Sequence, residues 1–319
     1  MISISARWRG WLKWLARLLV VAAVVWGVRH TLSVAIVELD RHRWSAHAGW
    51  LTVSAALYLV GLLPSAWFWQ RLLWRLGQRP SFFETLRAYY IGHLGKYVPG
   101  KALVLVVRAA LVSSPRTDPA CAVATTVYET MSMMAVGGLV SLVVLIGSGG
   151  QSTRLAWAAL AMTLAVAVPI VPPVFARAAR LLNIERWGAV SSRAIGDLWR
   201  ELLVWGTLPV AAGWIALGGS FWAVFRALDA ERAALSDLPL CVAAVGLALI
   251  GGFLSFVPAG AFVREALLME LLAVRFGGAT ALVAAVMLRI VWLVAEVAIS
   301  IILYAGGWIR RAPRNFDGP

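Results

Sequence analysis

HLGKYVPGKALVLVVR, His93 to Arg108, sets a proline and two glycines between two lysines and an arginine, with apolar sequence running away from it on both sides. Glycine tolerates unusual dihedrals and proline lacks a donor, so LGKYVPGK reads as a turn that interrupts a helix. The surroundings make that break informative. The 319 residues are 61% hydrophobic and only 14% charged, with a mean hydropathy of +0.81, well beyond the composition of soluble domains. Apolar runs long enough for a ~30 Å hydrocarbon core recur at 18–37, 48–69, 121–147, 154–175, 202–225 and 279–306. The chain is therefore read as one all-α polytopic membrane domain, and broken backbone inside such a domain belongs beside protein or a watery cavity.

Charge distribution supplies the orientation. The net charge of +14 would point to nucleic acid in a soluble protein, but here the cations sort by side. Arg7, Arg9, Lys13 and Arg17 precede the first run; Arg71, Arg75 and Arg79 follow the second; Arg177, Arg180, Arg186, Arg193 and Arg200 fill a long connection at about 176–201; Arg310, Arg311 and Arg314 lie at the end. Intervening loops are balanced or acidic, as in Glu38–Arg43 and Asp229–Asp237. This positive-inside pattern places both termini in the cytoplasm and removes the need for a nucleic-acid partner. The basic, apolar N-terminus resembles a secretory signal without a clear cleavage site after Val28, so it is read as an uncleaved span.

A single crossing by 82–112 would invert everything after it and put the Arg177–Arg200 connection outside. A re-entrant hairpin resolves the conflict: one half-helix from about Phe82, a turn at Gly95–Gly100, and a second half-helix to Leu111. The other half of the chain holds a similar break, FLSFVPAGAFVREALLMELL, Phe253 to Leu272. At an offset of 159 residues, Tyr97-Val98-Pro99-Gly100 falls on Phe256-Val257-Pro258-Ala259, and each turn is followed by an arginine, Arg108 or Arg264. ATTVYE, Ala124–Glu129, shadows AAVMLR, Ala284–Arg289, one residue further on. Halves 1–153 and 154–319, with three crossings each and one hairpin each, form an inverted repeat. Paired Gly/Pro-interrupted segments of this kind point to a site near the bilayer midplane. The expected architecture is about six full spans plus two re-entrant or broken hairpins.

These residues resemble a known family. GKYVPGKALVLVVRAALV, VYETM, SFVPAGAFVREALLMELL and the Arg-bearing MLRIVWLVAE look like the transmembrane domain of the lysylphosphatidylglycerol synthase/flippase family and its stand-alone relatives, over roughly residues 50–305. The likeness is most specific at the Pro-Gly turn and at Pro258, Gly260, Arg264 and Glu265. It implies a domain associated with moving an aminoacylated phospholipid across the bilayer. Nothing in the 319 residues resembles the family's synthase domain, so aminoacyl transfer is not expected. Ala259 and Ala261 stand where the family usually has glycine.

The candidate lipid-binding residues are Lys96, Pro99, Gly100, Lys101, Arg108, Glu129, Pro258, Gly260, Arg264, Glu265, Arg289 and Glu296. The charged ones sit in or beside apolar runs, where a charge is costly and tends to face an interior or a cavity. A guanidinium donates two parallel hydrogen bonds to a phosphodiester and stays charged, which suits arginine to a lipid phosphate. A half-helix after Pro258 adds N-terminal amides and the positive end of a dipole. Arg289 and Glu296, seven apart, share one helix face. The structural alternatives are ion pairs Arg264–Glu265 and Arg289–Glu296 that fix packing, and snorkelling of Lys96, Lys101, Glu84 and Arg87 to the headgroups. Trp67, Trp69, Trp74, Trp187 and Trp308 read as interfacial belt residues, His93 as structural, and Cys121 and Cys241 as buried small hydrophobes without metal or redox spacing.

No nucleophile elbow, metalloprotease helix or nucleotide-cradling loop occurs, so the sequence reads as a non-enzyme without cofactor or metal. The reading is a lipid transporter or flippase of the bacterial cytoplasmic membrane acting on a phospholipid or other anionic or zwitterionic lipid. A separate lipid-modifying enzyme and a second copy of the chain are possible partners. The alternative is an accessory or regulatory subunit of an envelope-lipid or glycolipid synthesis system.

Overall fold

The structure, a computed structural model, describes residues 46–97, 102–113, 117–147, 153–181, 192–228, 233–255, 260 and 262–309. The expected first span at 18–37, the basic residues before it and those at the end of the chain lie outside these, as do Trp187 and the side chain of Trp308.

Among the described residues the protein is all helix and turn. Helix α1 (Ala48–Arg75) is followed by the short pair α2 (Phe82–His93) and α3 (Ala102–Val112), then α4 (Pro119–Gly147), α5 (Thr153–Ala167) and α6 (Pro172–Leu181). Helix α7 (Ser192–Glu201) runs through a π-helical turn at Leu202–Gly206 into α8 (Thr207–Leu228); α9 (Leu238–Leu254), α10 (Val263–Phe276) and α11 (Gly278–Ile309) complete the chain. Five helical stretches are long and apolar enough to cross a bilayer: Ala48–Arg75, Pro119–Gly147, Ala194–Leu228, Leu235–Leu254 and Gly278–Gly306. A sixth span forms if the pair Leu155–Ile170 and Pro172–Ala178, bent by 68°, is taken as one. The bend has a local cause. Val171 precedes Pro172 and is extended, with ψ 132°, because a residue before proline is pushed out of the helical region.

The first hairpin has the expected form. At 12 and 11 residues, α2 and α3 are each roughly 18 Å long, too short for a bilayer, and they pack on each other. Ser81 and Glu84 close a capping box at the start of α2, Glu84 Oε2 accepting from the Ser81 amide at 2.8 Å and Ser81 Oγ from the Glu84 amide at 3.2 Å. Glu84 is thus a capping residue rather than a snorkelling one. The second hairpin departs from expectation. Its first arm, α9, carries no charged residue over 17 positions and with the preceding turn is itself of spanning length, so only α10 is a short arm. The connection at about 176–201 likewise contains the end of α6 and all of α7, short helices that bury Phe175, Ile195 and Leu198.

Small residues bring the helices together, as is usual where lipid removes the hydrophobic drive between helices. Helices α1 and α8 cross at the centre. Gly61 and Gly213 are so close that a Cβ on Gly61 would lie 3.0 Å from the Gly213 carbonyl. Further along the same crossing, Ser220 Oγ lies 2.9 Å from Ser54 Oγ and donates to the Ser54 carbonyl at 2.8 Å. The first hairpin packs on α1, α4 and α11; the second packs on α8, α4 and α11. Cys121 and Cys241 are free and buried, as expected. Trp69 is no belt residue: it is fully buried and donates Nε1–H to Thr125 Oγ1 at 3.1 Å.

Candidate lipid site

The structure gathers the charged candidates around the ends of both hairpins. Arg108 leaves α3 toward α2 and is only 2% exposed. It has room because the residue opposite is Gly92, where a side chain would overlap it. Its Nη1 donates to Glu129 Oε2 at 2.7 Å, and its guanidinium lies 3.9 Å from the centre of the Tyr89 ring. Tyr89 in turn donates to Glu129 Oε1 at 3.1 Å. Nη2 of Arg108 is 3.5 Å from His93 Nδ1. Arg108 and Glu129 therefore form a buried ion pair with aromatic cover, although Arg108 Nε, like that of Arg264, has no hydrogen-bond partner.

Arg264 leaves α10 toward α9 in the same way. The residue opposite is Gly252, where a Cβ would lie 2.6 Å from Arg264 Cγ, and Gly260 crowds it from the turn. Gly260 has φ +66°, the left-handed region that favours glycine. Trp292 lies beneath the guanidinium at 5.4 Å, and Tyr58 stacks on Trp292 at 4.4 Å. The electrostatics differ from those of Arg108. Among the described residues Arg264 has no ion pair, and its buried Nε has no hydrogen-bond partner. It is 9% exposed.

Neither packing pair expected from the sequence forms. Glu265, next to Arg264 in sequence, is turned away and accepts from Arg289 Nη1 at 2.6 Å. Consecutive helical residues do not share a face, whereas α10 and α11 pack side by side and bring Glu265 onto Arg289. Glu296 does not reach back to Arg289. It accepts from the Lys96 ammonium and from the Tyr58 hydroxyl, because the end of the first hairpin packs against α11. Lys96 is therefore a half-buried partner of Glu296 rather than a snorkelling cation, and its ammonium lies 5.2 Å from the Tyr97 ring. Arg87 lies 5.8 Å from the Tyr304 ring. Pro99, Gly100, Lys101 and Pro258 lie outside the described residues.

Taken together, Lys96, Arg108, Arg264 and Arg289 face Glu129, Glu265 and Glu296, an excess of one positive charge. Arg289 and Glu265 keep 14% and 15% exposure of their side chains, and Lys96 keeps 21%, so the cluster is not fully sealed. The Nε of Arg264 and the second carboxylate oxygens of Glu265 and Glu296 are buried without a hydrogen-bond partner. A buried, partly unsatisfied group of donors and acceptors suits a polar ligand better than packing alone. Sequence reasoning missed Tyr58, Tyr89, Tyr97 and Trp292, which carry the cover and the second hydrogen bonds. Their signal is weak, since an aromatic inside an apolar run reads first as core or belt.

The family model of the lysylphosphatidylglycerol synthase transmembrane region matches residues 14–300. The chain belongs to that family, whose transmembrane region gives it a lipid-related role in the membrane. No curated protein matches the chain.

Proposed function

We propose that the protein moves a phosphate-bearing lipid across the bacterial cytoplasmic membrane, the headgroup passing Arg264 between the ends of the two hairpins. The observation that carries this is the state of Arg264. An unpaired charge in a low-dielectric interior costs several kcal/mol, and among the described residues no carboxylate forms an ion pair with Arg264 to meet that cost, nor is the side chain fully exposed. A phosphodiester monoanion supplies what the cluster lacks: one negative charge, and oxygens that accept the guanidinium fork. Family membership supports the lipid as cargo. Movement is downhill or coupled to an ion or to the membrane potential.

The same reading makes the molecule two inverted halves. Adding 159 to α1 and α4 gives the starts of α8 and α11, 48 to 207 and 119 to 278. The contact Ser54–Ser220 becomes Gly213–Gly61, which is also a contact. The packing of α4 on α9 has its counterpart in α11 on α2. Such exchange is what a pseudo-two-fold axis in the membrane plane produces.

Reconstitution into liposomes with labelled phosphatidylglycerol, phosphatidylethanolamine and an aminoacylated phosphatidylglycerol tests the proposal. Arg264→Lys keeps the charge and loses the fork, so it should slow the transported lipid severely while the protein folds normally. A well-folded Arg264→Lys protein working at the wild-type rate would overturn the assignment of Arg264.

A further inference from the structure

Away from the central cluster, one face of α1 runs from an apolar groove into a pair of cations. Val60, Leu63, Pro64 and Trp67, together with Phe82 and Pro209, line an open groove of about 570 Å³ on the outer surface. Both prolines sit within helix there, Pro64 inside α1 and Pro209 in the first turn of α8 just after the π-helical turn, and neither has a backbone donor. From Trp67 the same face continues at four-residue spacing to Arg71 and Arg75. Both arginines turn Nε toward the buried carboxylate of Glu201, Arg75 at 2.5 Å. No Nη atom of either arginine is hydrogen-bonded among the described residues. The Arg71 guanidinium lies 5.2 Å from the Trp67 ring and 4.8 Å from the Trp205 ring, and Arg75 is half exposed.

We propose that this groove binds an anionic phospholipid, one acyl chain lying along Val60–Trp67 and the phosphate resting on the outward faces of Arg71 and Arg75. Two cations share one carboxylate, so the triad keeps an excess positive charge at the end of an apolar channel. Glu201 holds the two guanidinium groups side by side, which their mutual repulsion would otherwise oppose, and leaves their Nη donors without a hydrogen bond among the described residues. The tryptophans beside them are the residue type that sits at headgroup level in bilayers, and cations there attract anionic lipid. The site shares no residue with the Arg264 cluster and stands whether or not the protein transports lipid.

The test uses the full chain in bilayers with two photoactivatable lipids of identical tails, a phosphatidylglycerol and a phosphatidylcholine, each with a diazirine on one acyl chain. Phosphatidylglycerol should label the Val60–Trp67 and Phe82 segments in preference to phosphatidylcholine. Arg75→Gln should lower that labelling about five-fold, the contribution of one cation near a membrane surface. Leu63→Trp, which fills the groove and leaves the Arg71–Arg75–Glu201 triad intact, should abolish it. Equal labelling by the two lipids, or labelling unchanged in folded Arg75→Gln protein, overturns the proposal. So does efficient disulfide formation between cysteines at position 63 and in the 18–37 segment, because the chain itself would then fill the groove.

Discussion

The two hairpins share a steric plan and differ in charge. In each, an arginine on the second arm fits over a glycine on the first, Arg108 over Gly92 and Arg264 over Gly252. Arg108 has Glu129 at 2.7 Å and Tyr89 beneath it; Arg264 has Trp292 and, among the described residues, no ion pair. An interior arginine is held either by a permanent partner or by a function that leaves one out. The first hairpin shows the permanent arrangement, and the second shows the same steric fit without an ion pair among the described residues, the place that the proposal gives to a ligand's anion.

The largest effect that tests this contrast is on folding. Arg108→Met strands the buried Glu129 carboxylate and should cost about 3–5 kcal/mol, read as a fall in melting temperature and in folded yield. The double change Arg108→Met with Glu129→Gln should recover most of the loss, since no uncompensated charge remains. If the single variant melts like the wild type, Arg108 and Glu129 are not a structural pair.

Arg264→Met should do the opposite. With no acid left behind, removing the charge should leave the protein as stable as the wild type or about 1–4 kcal/mol more stable. Lipid movement in liposomes should drop at least about ten-fold, the equivalent of one lost charge-assisted hydrogen bond. A marked loss of stability would mean that Arg264 is paired after all, and the contrast between the hairpins would disappear.

These contrasts show which parts of the molecule the sequence could carry. Spans and breaks were legible because hydropathy and proline act locally. Hydropathy marked α1, α4, α8 and α11, and the Gly95–Gly100 break separated α2 from α3. Arginine and glutamate inside apolar runs were legible as residues that would gather in the interior, because burying a charge demands a reason. Their partners were not. Lys96 reaches Glu296 across 200 positions and Arg289 reaches Glu265 across 24; both pairings depend on which helices lie side by side. Spacing along one helix, the only geometry a sequence gives directly, paired Arg289 with Glu296 wrongly. The spanning length of α9 was masked for a related reason: its end runs into the Pro258 break, and the break drew the boundary of the hairpin too narrowly.

The turns allow a finer comparison. At Gly95 a Cβ would lie 2.7 Å from the Val104 amide nitrogen, so the obstacle to a side chain is backbone. At Gly260 it would lie 2.8 Å from Arg264 Cδ and from Gly252 Cα, at a φ that alanine tolerates poorly. Each alanine variant should cost about 1–3 kcal/mol in melting experiments. Gly260→Ala should also impair lipid movement by shifting Arg264, whereas Gly95→Ala should affect stability more than rate. Identical behaviour of the two variants would remove the functional distinction between the turns.

The smallest effects concern how each hairpin is closed at its open end. The first relies on a local device, the Ser81–Glu84 capping box, whose loss in Ser81→Ala should cost about 1 kcal/mol. The second uses a long-range clasp between the start of α9 and the end of α10. Arg275 donates to Asp237 through Nε at 2.7 Å and Nη2 at 3.0 Å, and Asp237 also accepts from the Ala234 amide at 2.9 Å. Arg275 is 44% exposed, so solvent weakens the clasp, and Arg275→Lys, which keeps the charge but not the two-pronged geometry, should cost only about 0.5–1 kcal/mol. The clasp joins residues 38 apart, so its loss should free both ends of the second hairpin together, read as faster amide exchange at the start of α9 and the end of α10. The Ser81→Ala change should quicken exchange only in the first turn of α2. Exchange that rises at one end of the second hairpin alone would show that the clasp does not couple its two arms.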